Sequence, residues 1–169
     1  RNIDQVTVGN ILAVGAIGAM LSPLIIGQIA DRYFNVERVM ALCHFMGAAI
    51  VFRIAYATSP TELYIYSFAY GLLYTPTLGL VNAISFRHLP DSSKNFGKVR
   101  VWGTAGWVVV GISVGQWLLF RAGNDGALQF KYMADARTRA ASLGIILGLY
   151  CFTLPATPPW PGREKLSPL

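Results

Sequence analysis

The sequence predicts an all-α transmembrane protein, a multi-pass helical bundle of about five spans. Apolar residues make up 54% of the 169 residues and charged residues only 13%, and the mean hydropathy is +0.47. The apolar residues fall into five long runs, with most of the charged residues in the segments between them. Since a helix needs roughly 20 apolar residues to cross about 30 Å of hydrocarbon, each run reaches or approaches the length of a span.

The first run extends from about Val6 to Ala30. Asp4 is placed to cap its start, because a carboxylate there can accept a hydrogen bond from a free backbone N–H group. Pro23 is expected to bend the helix. Small residues predict a side on which a second helix can approach closely; these are Gly15, Gly18, Ala19 and Ser22.

The second run, from Val39 to about Ala57, contains two ionisable residues. Arg53 is an intramembrane cation, for which a functional role competes with a side chain that reaches the outer headgroups. Histidine titrates near physiological pH, so His44 is either a proton relay or a neutral histidine bonded to a carbonyl.

The third run, from Glu62 to Phe86, carries Pro76 near its middle. Residues at steps of three and four share one face that is more polar than lipid tolerates; they are Gly71, Thr75, Leu78, Asn82 and Ser85. That face is expected to point into the protein, where Asn82 and Thr75 either bind substrate or tie helices together.

A basic loop is predicted from Arg87 to Arg100, and the fourth run follows from Val101 to Phe120. A polar segment, Arg121 to about Ala134, leads into a fifth run that ends near Leu154. Its start stays open, because the charged residues that follow Ala134 belong either to the loop or to the first helical turn. Both runs contain a Gly-x-x-x-Gly spacing suited to close helix contact, at Gly111 and Gly115 and at Gly144 and Gly148.

Between the first two runs, the stretch from Gly27 to Arg38 holds two arginines and two acids. Charge crowded between two spans marks a cytoplasmic hairpin, and with this assignment the basic residues favour the cytoplasmic side. Five spans place the chain ends on opposite sides of the membrane. We therefore expect a further helix before the chain.

The net charge of +6 does not indicate nucleic-acid binding, because the basic residues form no continuous stripe. No phosphate-binding loop or metal-ligand spacing is present, so neither a cofactor nor a metal is expected. The spans lack the paired acids or the nucleophile with a base that an intramembrane enzyme needs. Cys43 and Cys151 lie inside apolar runs and are interpreted as packing residues.

A candidate substrate face begins at Arg100. Thr104, Trp107 and Gly111 follow at steps of four, three and four, so a cation, a hydroxyl, an indole and a gap line one side of a helix. A sugar-linked base suits this set, because the base can stack on the indole while its carbonyls and the ribose hydroxyls bond the other groups. The alternative is that Arg100 reaches cytoplasmic headgroups and Trp107 packs or faces lipid.

Several stretches resemble the nucleoside:proton symporter family of the major facilitator superfamily. The pattern Gly-x-x-x-Asp-Arg with a later basic residue is similar to the superfamily's loop between helices 2 and 3. The family resemblance is carried by Ala30-Asp31-Arg32 with Glu37-Arg38, Ala41-Leu42-Cys43-His44, Thr75-Pro76-Thr77 with Asn82, the run from Val99 to Trp107, and Thr153-Leu154-Pro155.

The resemblance implies that Arg100 and Trp107 contact a nucleoside, with Thr104 and Asn82 as further candidates. It also implies a conformational latch that favours the outward-facing state. The latch residues are Gly27, Asp31, Arg32 and Arg38, while Phe34 and Glu37 depart from the superfamily pattern.

The resemblance further implies that residues 1–159 form about helices 2 to 6 of a six-helix amino-terminal half, and that 160–169 begin a cytoplasmic central linker. The expected partners are a preceding helix and a carboxy-terminal half of the same polypeptide, within the lipid bilayer of a bacterial inner-membrane type. Because no span holds a central carboxylate, the proton-titrating acid is expected in that other half.

The preferred function is proton-coupled nucleoside symport by alternating access. Two alternatives stay open. One is a sugar or oligosaccharide symporter of the same superfamily, and the other is a structural membrane subunit or a membrane-embedded enzyme.

Overall fold

The computed structural model describes residues 4–123 and 125–159, with the side chains of Asp31, Ala127 and Phe130 left out. Among these residues it contains helices and turns and no strand. The elements are α1 (Gln5–Ser22), a π-helical segment (Pro23–Gly27), α2 (Gln28–Arg32), α3 (Val36–Tyr56), α4 (Pro60–His88), α5 (Ser92–Ala122) and α6 (Gly126–Cys151). Since α1, the π segment and α2 are continuous, the described chain forms five long helical rods, as the multi-pass prediction requires.

The first rod begins at its predicted cap. The Asp4 carboxylate accepts a hydrogen bond from the backbone N–H of Thr7 at 3.3 Å, which satisfies one of the free donors of the first turn. Pro23 does not end the rod. A proline lacks the N–H group that an α-helix uses there, and the helix continues as a π-helical segment through Gly27.

The small-residue side predicted on α1 packs directly against α4. A Cβ atom added to Gly18 would lie 2.3 Å from the backbone oxygen of Phe68, and one added to Gly71 would lie 2.2 Å from that of Gly15. No side chain separates the two backbones at this crossing. The prediction of close helix approach is therefore confirmed.

Only one of the two Gly-x-x-x-Gly spacings forms a helix contact within the described chain. On α6, a Cβ added to Gly144 would lie 3.1 Å from Ala48 Cβ, and one added to Gly148 would lie 2.7 Å from the Phe45 ring of α3. On α5, by contrast, Gly111 and Gly115 have no described atom within 4 Å of such a Cβ.

The apolar core lies where α3 packs between α4 and α6. Its buried residues include Val36, Val39, Met40, Ala41, Cys43, Leu73, Leu80, Ile84 and Cys151. Both cysteines are buried and free, which agrees with their interpretation as packing residues. Helix α5 stands at the edge of this bundle. Of its residues 92–122, only Ala122 is buried.

The basic loop predicted from 87 to 100 is wrong, because most of it is helical. The turn between α4 and α5 comprises Leu89, Pro90 and Asp91 only. The rings of Phe86 and Phe96 stack with centroids 4.3 Å apart, which holds the first turns of α5 against the end of α4. This contact between neighbouring helices supports a start of α5 that lies closer to the turn than the sequence predicted.

The polar segment predicted from 121 to about 134 is likewise mostly helix. Gly123 ends α5 with φ at +54°, and Asp125 caps the next helix by accepting a hydrogen bond from Leu128 N–H at 3.2 Å. The polar residues that follow stay helical because Tyr132 packs its ring edge-on against Trp117, with centroids 5.8 Å apart.

Three of the rods are long and apolar enough to cross a membrane: Gln5–Ala30, Val36–Tyr56 and Ser92–Ala122. The other two rods, α4 and α6, have 29 and 26 residues, so their length also suffices for about 30 Å of hydrocarbon. Tyrosines in α4 and charged residues at the start of α6 make these two rods more polar.

Candidate functional site

The predicted hairpin forms a tight turn between two helices. Helix α2 ends at Arg32, the turn comprises Tyr33, Phe34 and Asn35, and α3 begins at Val36. The side chains of Arg32 and Arg38 are exposed. The Asp31 side chain, the third charged member of the predicted latch, lies outside the described residues.

Glu37 differs from its charged neighbours because it is buried, with 5% of its surface exposed. Its Oε2 accepts a hydrogen bond from Thr157 N–H at 2.9 Å, and its Oε1 accepts one from the Asn35 amide at 3.0 Å. Val36 N–H donates to the Thr157 carbonyl at 3.0 Å. The hairpin is thus docked on the segment that follows α6.

Sequence reasoning missed this junction. Glu37 stood out only as an acid in a basic stretch, and Thr157 is 120 residues away. The available signal was a polar threonine between Pro155 and Pro158, in a segment where prolines exclude helix.

The predicted substrate residues Arg100, Thr104 and Trp107 lie on one face of α5, whose residues 97–114 are all exposed. Arg100 and Thr104 are exposed, and 78% of the Trp107 surface is exposed. The Thr104 hydroxyl donates to the carbonyl of Arg100 at 3.2 Å, which leaves its oxygen free to accept. The sequence suggested that Arg100 lies at the start of a helix. In the structure it lies about two turns inside α5.

Asn82 lies on the neighbouring helix α4 and is half-buried. The three-residue turn at 89–91 makes α4 and α5 antiparallel neighbours. Asn82 and Arg100 each stand about two helical turns, roughly 10–12 Å, from that turn. Counted along the helices, Asn82 and Arg100 are thus about equally far from the turn, and Thr104 and Trp107 lie one and two turns further along α5.

The polar face predicted on α4 divides between two environments. Gly71 packs on α1, whereas Leu78 and Ser85 line a cavity of about 360 Å³ between α3, α4 and α6. Leu78 lines this cavity although 56% of its surface is exposed. Helix α4 turns different sides to its neighbours along its length. His44 also lines this mainly apolar cavity.

Two arginines in the helices have aromatic partners. The Arg53 side chain is exposed, and its Nε donates to the Tyr66 hydroxyl on α4 at 3.4 Å. The Arg139 guanidinium lies 4.6 Å from the centroid of the Trp117 ring, a cation–π contact between α6 and α5. These partners stabilise charges within long apolar helices.

The five long helical rods, three of them apolar enough to cross a membrane, define a multi-pass helical membrane protein. Residues 2–167 match the family model described as Nucleoside H+ symporter. The chain belongs to this family of transporters, within the major facilitator superfamily.

Curated relatives from Escherichia coli K12 agree with this membership. The putative nucleoside transporter YegT is 35% identical over 147 residues, which covers 87% of this chain and 34% of the relative. The nucleoside permease NupG is 29% identical over 159 residues, 92% of this chain and 35% of the relative. The chain thus spans about a third of the length of these relatives, which are a transporter and a permease and not enzymes.

The fold is shared with a solved transporter. The crystal structure of a mutant of the nucleoside transporter NupG superposes with a TM-score of 0.78 at 27% sequence identity, and the match covers 95% of this chain and 38% of that one. The expectation of a partial helical bundle of this superfamily is therefore confirmed.

Proposed function

We propose that the full-length protein containing this chain imports nucleosides together with protons by alternating access. The relatives named above are described as a nucleoside transporter and a nucleoside permease, and the family description names the proton. Alternating access needs two halves that rock around a central site. In this proposal residues 1–159 supply about helices 2 to 6 of one half, and a preceding helix and the other half complete the site.

The observation that carries the proposal is the placement of a charged and an aromatic side chain on one face of α5, a helix whose residues 97–114 are all exposed. An arginine about two turns inside α5 is costly to leave in lipid, since a charged side chain in the hydrocarbon region is strongly disfavoured. Such a face is stable when it borders a water-filled cavity. We therefore assign Arg100 and Trp107 to the central cavity.

The chemistry of this face fits a nucleoside. The Trp107 ring offers a flat surface on which a base can stack. The Arg100 guanidinium donates hydrogen bonds to base carbonyls or ribose hydroxyls, and the Thr104 oxygen can accept one from a ribose hydroxyl. Asn82, about as far from the turn along α4, adds an amide that both donates and accepts.

The hairpin supplies the proposed latch. Arg32 and Arg38 are exposed on the side of the bundle that the basic residues assign to the cytoplasm. Their guanidinium groups suit acids or helix carboxyl ends on the opposite half, with Asp31 and Gly27 completing the motif. Residues 160–169, outside the described part, would lead toward that half as the start of a cytoplasmic linker. The protein itself would lie in a bacterial inner membrane.

The test is uptake of labelled uridine and adenosine into proteoliposomes that hold the full-length protein under an inward proton gradient. Uptake that stops when a protonophore collapses the gradient would support symport. Arg100→Ala is expected to reduce kcat/KM about ten- to a hundredfold, the value of one charge-assisted hydrogen bond. Trp107→Ala is expected to raise KM about tenfold through lost stacking.

Two matched controls lie on the same helix. Trp102 is 77% exposed but five residues before Trp107, so it points to a different side of α5. Arg121 is exposed at the far end of α5. Trp102→Ala and Arg121→Ala should keep near-normal uptake. Equal losses in all four variants would contradict the assigned face, and competition by sugars in place of nucleosides would contradict the substrate.

A further inference from the structure

The segment after α6 is held by two other helices of the bundle, α3 and α4. Residues 152–159 leave the end of α6 and pass the start of α3 and the end of α4. Thr157 lies at the centre of these contacts and is 1% exposed. We call the group Glu37, Thr157 and His88 the clasp.

Glu37 forms the first half of the clasp. Both of its carboxylate oxygens accept hydrogen bonds, one from the Thr157 backbone and one from the Asn35 amide. A buried carboxylate is costly unless its oxygens are satisfied. An ionised carboxylate can only accept hydrogen bonds, so Glu37 needs donors around it. The Thr157 N–H and the Asn35 amide supply them.

Thr157 completes the clasp through its hydroxyl. That oxygen lies 3.0 Å from the carbonyl of Pro155, to which it donates its single proton. His88 Nε2 lies 2.9 Å from the same oxygen. Since the threonine proton is already used, His88 donates at Nε2. Arg87 adds a further hydrogen bond, to the carbonyl of Pro158.

We infer that Glu37 is a positioning residue that fastens the segment after α6 to the latch hairpin. Glu37 directly precedes Arg38 and lies five residues after Arg32, while Thr157 leads into residues 160–169. The clasp thus fixes the hairpin relative to the chain that continues toward the other half. This inference rests on the proposed function for its effect on transport, although the docking itself does not.

Docking is tested by the reactivity of a buried reporter. Thr157→Cys keeps the backbone N–H that Glu37 binds and places a thiol at a buried position. The purified full-length protein carries this reporter as its single cysteine, with Cys43, Cys151 and every cysteine in the rest of the polypeptide replaced by alanine, and its rate of maleimide labelling is measured. Adding Glu37→Leu should accelerate labelling about ten- to a hundredfold, because one charge-assisted hydrogen bond is lost.

Two variants calibrate this result. Glu37→Gln keeps one acceptor oxygen and should give an intermediate rate. Asp91→Asn removes an exposed acid near the same end of α4, in an ion pair with Lys94 at 3.2 Å, and should leave the rate unchanged. An unchanged rate in Glu37→Leu, with a normal elution profile, would overturn the clasp.

A transport assay distinguishes a positioning role of Glu37 from one that only fastens the segment after α6. If the clasp supports a latch that favours the outward-facing state, Glu37→Leu lowers the population that binds external nucleoside, and KM rises accordingly. We expect KM to increase several-fold per transporter, with partial recovery in Glu37→Gln. Faster labelling with an unchanged KM would overturn the positioning role. Absence of nucleoside uptake in the parent protein would refute the proposed function, while the labelling result would still decide the docking.

Discussion

The crossing of α1 and α4 brings two backbones into direct contact, and it leads to a sharp stability prediction for Gly71→Ala. The added Cβ would lie 2.2 Å from the Gly15 oxygen and 3.2 Å from the Ala19 nitrogen. These are backbone atoms, which cannot rotate away as a flexible side chain can. The two helices would have to separate by about 1 Å to reach an ordinary contact distance.

Gly79 provides a matched control on the same helix, because a Cβ added there meets no described atom within 4 Å. Both substitutions gain about 1 kcal/mol of helix propensity. Overpacking at a close crossing costs typically about 1–3 kcal/mol, and it applies to Gly71 alone. Gly71→Ala is therefore expected to be about 1–3 kcal/mol less stable than Gly79→Ala.

The assay is thermal unfolding of the two full-length variants in the same detergent, followed by the loss of the monodisperse peak in size-exclusion chromatography. The Gly71 variant should unfold at a distinctly lower temperature than the Gly79 variant. Equal midpoints would show that the backbones of α1 and α4 do not touch as described. A lower midpoint for Gly79→Ala would reverse the argument altogether.

Three further predictions concern the other helix contacts. Gly148→Ala should destabilise less than Gly71→Ala in the same assay, because the atoms that its Cβ would meet belong to a rotatable phenylalanine ring; an equal loss would refute this reason. For the contact of Arg139 with Trp117, 4.6 Å from the ring centroid, a double-mutant cycle with Arg139→Gln and Trp117→Leu should give a coupling of about 0.5–2 kcal/mol, and additive effects would exclude the cation–π interaction. Glu62→Ala should cost about 1 kcal/mol of stability, because its carboxylate accepts hydrogen bonds from Thr58 N–H at 2.9 Å and Ser59 N–H at 3.3 Å in the capping box of α4; a Glu62→Gln variant as unstable as the alanine variant would argue against the capping role.

The local features of the fold could be predicted from the sequence. The apolar runs mark the five rods because a span has a minimum length. The cap at Asp4 involves residues three apart. The small-residue side of α1 follows from helical periodicity, and the crossing at Gly18 uses it. In each case the residues that decide the structure are neighbours along one helix.

The helix ends required contacts that no local pattern contains. Stacking of Phe86 on Phe96 extends α5 toward the turn, and packing of Tyr132 on Trp117 keeps a polar stretch helical. The glycines also required contacts that the sequence does not show. Gly148 of α6 and Gly115 of α5 each end a Gly-x-x-x-Gly spacing, but only a Cβ added to Gly148 would meet a neighbouring helix, and one added to Gly115 would meet no described atom. Which helix lies opposite is a property of the packed bundle.

The candidate site divides in the same way. The spacing of Arg100, Thr104 and Trp107 determined by itself that they share one face, since helical residues three and four apart are neighbours. The burial of Glu37 was decided by the tertiary structure. The Glu37 carboxylate accepts a hydrogen bond from a backbone N–H group 120 residues away. This contact depends on how separate segments dock, so the sequence around either residue does not predict it.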